Sequence, residues 1–322
     1  MWGQKLMLIP WLFSGLGLLI LLLAGDALVK GAVNLSLRLG VPALIVSLTI
    51  VAFGTSAPEL LISIKAVLDD ASGIALGNVV GSNTANILLV LGIPALLATM
   101  HTSECHTRKT YNFMIAASLL FIALAFRGVF DWIAGLVLLG GLLYVLGDAF
   151  RDARNHRAEG KDAEEEEPEG ADPDMPAWQI AIFLVLGLAG LPLGASLLVD
   201  NASVIARAYG VSDTVIGLTL VAIGTSLPEL ATTVMATLRR QADVALGNVI
   251  GSNMFNLLAI IGVASLVGPI AVDSAFLRFD LWVMLGASLL LIPFVYMKRD
   301  ITRGWGILLS ALYVLYLVVV LV

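Results

Sequence analysis

"VAFGTSAPEL", residues 51–60, lies inside an apolar run over 41–64 and places Glu59 where a membrane helix would hold only hydrocarbon. Residues 221–230 read "VAIGTSLPEL", with Glu229 behind the same Gly-Thr-Ser-x-Pro. Eight of the ten positions are identical. Working outward, "GNVVGSNTANILLVLG" (77–92) against "GNVIGSNMFNLLAIIG" (247–262) gives nine identities in sixteen at the same shift of 170 residues. Gly40 and Val41 fall on Gly210 and Val211. The chain is therefore an internal duplication.

Composition sets the class. The chain is 59% hydrophobic and 13% charged, with mean hydropathy +0.97, against about 25% charged residues in soluble domains. Apolar runs of membrane-spanning length recur throughout. They do not alternate as barrel strands do, so the reading is an all-α polytopic membrane protein. Ten spans are predicted: 6–24, 41–64, 73–99, 111–126, 129–147, 178–199, 214–237, 244–267, 280–297 and 304–322. The first is not taken as a signal peptide, because residues 8–24 have a counterpart at 178–194 in the repeat.

Five spans separate each helix from its counterpart, and each reverses direction, so the second half should sit upside down. Inverted five-helix repeats are a build of secondary transporters, with the site at the midplane between the halves. The predicted organisation is a first repeat over 1–150, an acidic linker over 151–176 and a second, inverted repeat over 177–322. The linker holds ten acids and four bases, which accounts for the whole net charge of −6. It is charged, bears Pro and Gly, lacks an apolar face and reads as a disordered connector. Lys and Arg divide 13 to 5 between the two sets of loops. The richer set should be cytoplasmic, which puts both termini outside and the linker inside. Cys105 is the only cysteine, so no intramolecular disulfide exists.

An ionised carboxylate inside a bilayer costs ~2.5 kcal/mol or more, and no Lys or Arg lies inside the four repeat helices to pair with Glu59 or Glu229. Pro58 and Pro228 lack an N–H, so the carbonyls of Gly54 and Gly224 lose helical partners. Thr55, Ser56, Thr225 and Ser226 add hydroxyl oxygens. Sulfur and imidazole are absent. An all-oxygen set with two carboxylates suits a hard cation such as Ca²⁺ or Na⁺. In the second block Asn78, Ser82 and Asn86 form one polar stripe, repeated by Asn248, Ser252 and Asn256. Interhelical hydrogen bonding is the plain alternative for these amides. The reading adopted makes Asn86 and Asn256 ligands, and Asn83 and Asn253 structural. Gly77, Gly81, Gly247 and Gly251 read as close helix packing.

Other groups point to less. "HTSECH" (101–106) could bind a soft metal but reads as a solvated loop. The run 164–167 lacks the spaced ligands of a calcium loop. Asp26 and Asp200 are placed near span ends. Nucleotide-binding and catalytic-triad patterns are absent, so the chain does not read as an enzyme, and no cofactor or nucleic acid is expected.

The paired G-T-S-x-P-E and G-N-x-x-G-S-N-x-x-N blocks resemble the two signature repeats of the cation/calcium exchanger superfamily, and most of all its small prokaryotic sodium/calcium antiporters. The resemblance covers nearly the whole chain. It implies a diamond of ion sites between the second, third, seventh and eighth helices. Backbone oxygens of Ala52 and Ala222 would contribute, with hydroxyls of Thr55, Ser56, Ser82, Thr225, Ser226 and Ser252, the carboxylates of Glu59 and Glu229, and Asn86. Asn256 stands where some relatives carry an aspartate, which leaves two site carboxylates and argues against potassium dependence. The implied function is Na⁺/Ca²⁺ antiport by alternating access, with the first and sixth helices sliding (Gly15, Gly17; Gly187, Gly190, Gly194) and the monomer in a bacterial inner membrane as the working unit. H⁺-coupled exchange at the same glutamates, a cation channel and a non-transporting sensor are the alternatives.

Overall fold

In hydrocarbon a backbone must satisfy its own polar groups, so long apolar runs become helices. The computed structural model describes residues 2–158, 172, 174–210 and 222–321. Among these, seven helices are long and apolar enough to cross a membrane, and eight with one bent pair counted as a single span. Two of the ten expected spans fall outside that set. The span over 111–126 is the helix Arg108–Ala125, whose first turn carries two bases. That over 214–237 begins outside the described residues, and its described part is Ala222–Thr225 and Leu227–Leu238.

Two helices occupy the centre. Ser72–Leu97 and Ala242–Val267 have 78% and 89% of their apolar windows buried, against 17–39% for the other spans. The lipid-facing remainder includes Leu61, Leu143, Phe150 and Val185. The motif segments break where proline demands it. Ala43–Thr55 and Ala57–Leu68 meet at 44°, with Ser56 at φ −86°, ψ 4°. Ser226 makes the same break at φ −87°, ψ 3°. One turn of π-helix, Ser47–Val51, precedes the first break, and another, Asn256–Ile260, begins at Asn256 within the second polar block. Such widened turns gather at functional sites, and the sequence gives no sign of them.

The duplication extends to the backbone. The positive-φ residues of the described chain pair off at the shift of 170: Gly40 with Gly210, Asp70 with Arg240, and Gly128 with Lys298. The non-glycine members sit in the left-handed region, which costs ~1–2 kcal/mol each, and both halves hold it at equivalent turns. Short antiparallel pairings tie the halves at their edges: Val129–Phe130 with Ile270–Ala271, and Met100 with Ile301.

Small residues set the approach of helices. A Cβ on Gly247 would lie 2.9 Å from Ser47 Cβ, and one on Gly251 2.6 Å from both Ala52 Cβ and the Leu48 carbonyl oxygen. These glycines are packing residues, as expected. At Gly77 and Gly81 a Cβ would meet nothing within 4 Å among the described residues. Helix Trp2–Leu39 lies along helix Ala177–Ala208 through Gly17, Gly187, Gly190 and Gly194, where a Cβ would come within 2.5–2.9 Å of the facing helix.

Some expected boundaries move. Asp26 and Asp200 lie within continuous helices that run on to Leu39 and Ala208. Asp26 Oδ1 accepts from Arg239 Nε at 2.6 Å, and Asp200 from Ser196 Oγ. The last turns of these helices carry Arg38 and Arg207, long side chains that can reach polar surroundings. Of the linker over 151–176, the first eight residues continue the helix Trp132–Ala158, where Asp148 and Asp152 both bind Lys109. Residues 159–171 and 173 lie outside the described residues. At the far end the Asp172 N–H donates to Asn34 Oδ1, and Met175 is buried.

Gly251→Ala should cost about 1–3 kcal/mol, because its Cβ meets backbone that cannot yield. Gly140→Ala, with nothing within 4 Å, should be neutral. Melting temperatures of the two variants in detergent check this.

Candidate cation site

Glu59 and Glu229 each fall in the first turn of a half-helix that begins at the break, Ala57–Leu68 and Leu227–Leu238. The exposed N–H groups and dipole of a helix start favour negative charge there. Each glutamate is 1% exposed, and among the described residues neither joins an ion pair. Ser56, three residues before Glu59, reaches the Glu229 carboxylate, so the two glutamate-bearing turns meet.

The two halves interlock around them. Ser56 Oγ, from the first half, donates to Glu229 Oε1 at 3.2 Å. Ser252 Oγ reaches the same oxygen at 3.4 Å. Thr55 Oγ1 lies 3.3 Å from Asn248 Oδ1 and 3.4 Å from Ser252 Oγ. Thr225 is half-buried and engaged. Ala52, Ser82, Asn86, Ser226, Ser252 and Asn256 are buried, and Ala222 opens the helix Ala222–Thr225.

Several oxygens in this region have no partner among the described residues: Glu59 Oε2, Glu229 Oε2, Asn86 Oδ1, Asn256 Oδ1 and Ser226 Oγ. A buried polar atom left unpaired costs about 1–3 kcal/mol, and more for a charged group. Five of them on the motif residues of both halves form a set of lone pairs fit to coordinate a hard cation.

The polar stripe does not act as one wall. Asn78 turns away and donates to the Glu59 carbonyl at 3.3 Å and Ser63 Oγ at 3.2 Å. Asn248 repeats this with the Glu229 carbonyl at 3.3 Å and Thr233 Oγ1 at 3.1 Å. These amides fasten each half-helix to the central helix beside it. The partners Ser63 and Thr233 stand 170 residues apart, a hydroxyl pair in the sequence that would have marked them. "HTSECH" is more anchored than a solvated loop: Thr102 is buried, and its Oγ1 donates to the Arg299 carbonyl at 2.8 Å. Burial, reinforced by the Asp243 carboxylate, pushes the Cys105 thiol well above its ordinary range. Among the described residues no group of three or more His, Cys, Asp or Glu is placed to hold a metal.

A broken-helix pair enclosing buried acids between repeated halves defines a multi-pass ion-transporting membrane protein. The chain belongs to the sodium/calcium exchanger protein family, which it matches over residues 9–147 and 179–322. It is 35% identical over 338 residues to the sodium/calcium exchanger MaX1 of Methanosarcina acetivorans, covering 94% of this chain and 96% of MaX1. It is 33% identical over 304 residues to the inner membrane protein YrbG of Escherichia coli, covering 94% and 93%. A solved structure of the sodium-calcium exchanger NCX_Mj, soaked with 2.5 mM Na⁺ and 1 mM Sr²⁺, superposes with a TM-score of 0.79 at 33% identity, over 96% of this chain and 97% of that one. The family consists of transporters, not enzymes.

Asn248→Ala deletes the fastening of the second half-helix. Losing its hydrogen bonds should lower stability by about 2–3 kcal/mol, at roughly 1 kcal/mol each, read as a lower detergent midpoint than Asn201→Ala, whose single bond is to its own helix.

Proposed function

We propose that the chain is a secondary antiporter that exchanges Na⁺ for Ca²⁺ at one site shared between its halves. One observation carries the reading. Glu59 and Glu229 are buried together without a cationic side chain, and one oxygen of each is unpartnered. Two carboxylates carry −2, which one Ca²⁺ neutralises. Sodium ions would use the same oxygens, so the two cargoes exclude each other and exchange becomes obligatory. Ala52, Thr55, Ser56, Glu59, Ser82 and Asn86 supply the first half of the cage, and Ala222, Thr225, Ser226, Glu229, Ser252 and Asn256 the second. The names of MaX1 and NCX_Mj support sodium as the coupling ion.

The proposed frame is ten helices in two inverted five-helix repeats around a pseudo-twofold axis in the membrane plane. Reciprocal contacts support it: Asn83 bonds the Asn253 carbonyl and Asn253 the Asn83 carbonyl, the pattern of a twofold interface. Charge supports the inversion. The left-handed turn that carries Asp69-Asp70 in the first half carries Arg239-Arg240 in the second, as expected when equivalent turns face opposite sides. The protein would lie in a bacterial inner membrane with both termini outside and the 151–176 linker in the cytoplasm. Both site halves belong to one chain, so a monomer suffices. The glycine-lined seam of helices Trp2–Leu39 and Ala177–Ala208 would slide over the central helices to switch access.

The decisive assay places purified protein in Na⁺-loaded liposomes diluted into Na⁺-free buffer with labelled Ca²⁺. Uptake should require the outward Na⁺ gradient. Glu59→Gln and Glu229→Gln should each lower it by at least about a hundredfold. A unit charge at ~4 Å is worth about 4 kcal/mol at an effective dielectric of 20. Uptake driven by a pH gradient alone would assign the coupling to protons, which buried glutamates can hold. Topology has its own check. A cysteine at position 165 in a Cys105→Ser background should react with an impermeant maleimide only after the cells are opened.

A further inference from the structure

A buried amide holds one orientation when its neighbours dictate which end donates. Asn83 and Asn253 are so placed. Asn83 Nδ2 donates to the Asn253 carbonyl at 3.2 Å, and Asn253 Nδ2 to the Asn83 carbonyl at 3.3 Å. A backbone carbonyl only accepts, so the nitrogen end of each amide is fixed. The other side of each nitrogen meets a sulfur at 3.8 Å, Met284 Sδ for Asn83 and Met114 Sδ for Asn253. Both oxygens are then committed in the remaining direction. Asn83 Oδ1 accepts from Asn256 Nδ2 at 2.9 Å, and Asn253 Oδ1 from Asn86 Nδ2 at 3.0 Å. All four amides are at most 2% exposed. At the end of each chain stands an oxygen without a partner: Oδ1 of Asn256 and Oδ1 of Asn86.

We propose that Asn83 and Asn253 are crossed positioning residues for the cation site, Asn83 orienting the amide of Asn256 and Asn253 that of Asn86, so that carbonyl oxygen rather than NH₂ faces the cargo. The wiring runs between halves, since each half sets the ligand of the other. It also selects the residue type at 256. Asn83 Oδ1 is an acceptor there and requires a donor opposite, which an amide provides and an ionised carboxylate does not. The charge of the site is thereby held at that of its two glutamates. The proposal rests on the cage reading above.

Double-mutant cycles on the half-saturating Ca²⁺ concentration in liposomes test it. Asn256→Ala should raise that concentration about tenfold and Asn83→Ala about three- to tenfold. Adding Asn83→Ala to Asn256→Ala should cause no further rise, because its effect passes through the missing amide. Adding Asn83→Ala to Asn86→Ala should multiply the two effects, as independent sites do. If Asn83→Ala does not yield folded protein, the mirror cycle of Asn253→Ala with Asn86→Ala and with Asn256→Ala asks the same question. Effects that multiply in both cycles, or that couple equally to Asn86 and Asn256, overturn the crossed wiring. If Asn86→Ala and Asn256→Ala each leave the Ca²⁺ dependence unchanged, the cage reading itself fails, and the proposal with it.

Discussion

Two carboxylates shut away from water with no cationic side chain beside them set the terms for the rest of the molecule. Their desolvation is tolerable only with charge-assisted hydrogen bonds, helix starts aimed at them and a cation to neutralise them. The broken helices answer the second need, and Ser56 and Ser252 on Glu229 answer part of the first. The third is what a cation at the proposed site would supply. Emptying such a site leaves like charges facing each other in a medium of low dielectric, which disfavours return without an ion and so favours exchange over leakage.

The surroundings are divided between rigid and movable contacts. Around the site the halves are pinned by directional bonds: Asn78 and Asn248 to the half-helix carbonyls, and Asn83 and Asn253 to each other. Along the seam of helices Trp2–Leu39 and Ala177–Ala208, glycines at 17, 187 and 194 approach the facing backbone closely, beside apolar side chains such as Leu21, Leu28 and Leu191. The Asp26–Arg239 pair joins the outer helix Trp2–Leu39 to the end of the half-helix Leu227–Leu238. Where the two seam helices meet the motif segments, Gly25 faces the Ala231 carbonyl, Gly54 the Leu188 side chain and Gly224 the Val199 side chain, close contacts that suit the proposed sliding.

The equivalence of the halves gives the proposed inversion a physical reading. Identical turns in the left-handed region, Asp70 and Arg240 among them, show that the fold is indifferent to the side chain there. The membrane is not indifferent, and bases stand at one copy where acids stand at the other. The same backbone thus carries opposite charge according to the side it is to face.

Much of this was legible in the sequence because hydrocarbon is an unforgiving solvent. Glu59 and Glu229 announce a site by being inside apolar runs, Pro58 and Pro228 announce the breaks, and the shift of 170 announces two halves. Orientation of side chains was not legible. Asn78, Ser82 and Asn86 share a helix face, yet Asn78 turns to the Glu59 carbonyl while Asn86 Oδ1 stays unpaired, because the neighbour within reach differs along the helix. The π-turns at Ser47–Val51 and Asn256–Ile260, the run of Trp2–Leu39 past the apolar segment and the crossed bonds of Asn83 and Asn253 were also hidden. Each depends on which segment lies opposite. Local composition fixes where a chain must bury charge and break a helix, whereas the partner of a buried amide is chosen only when distant segments pack.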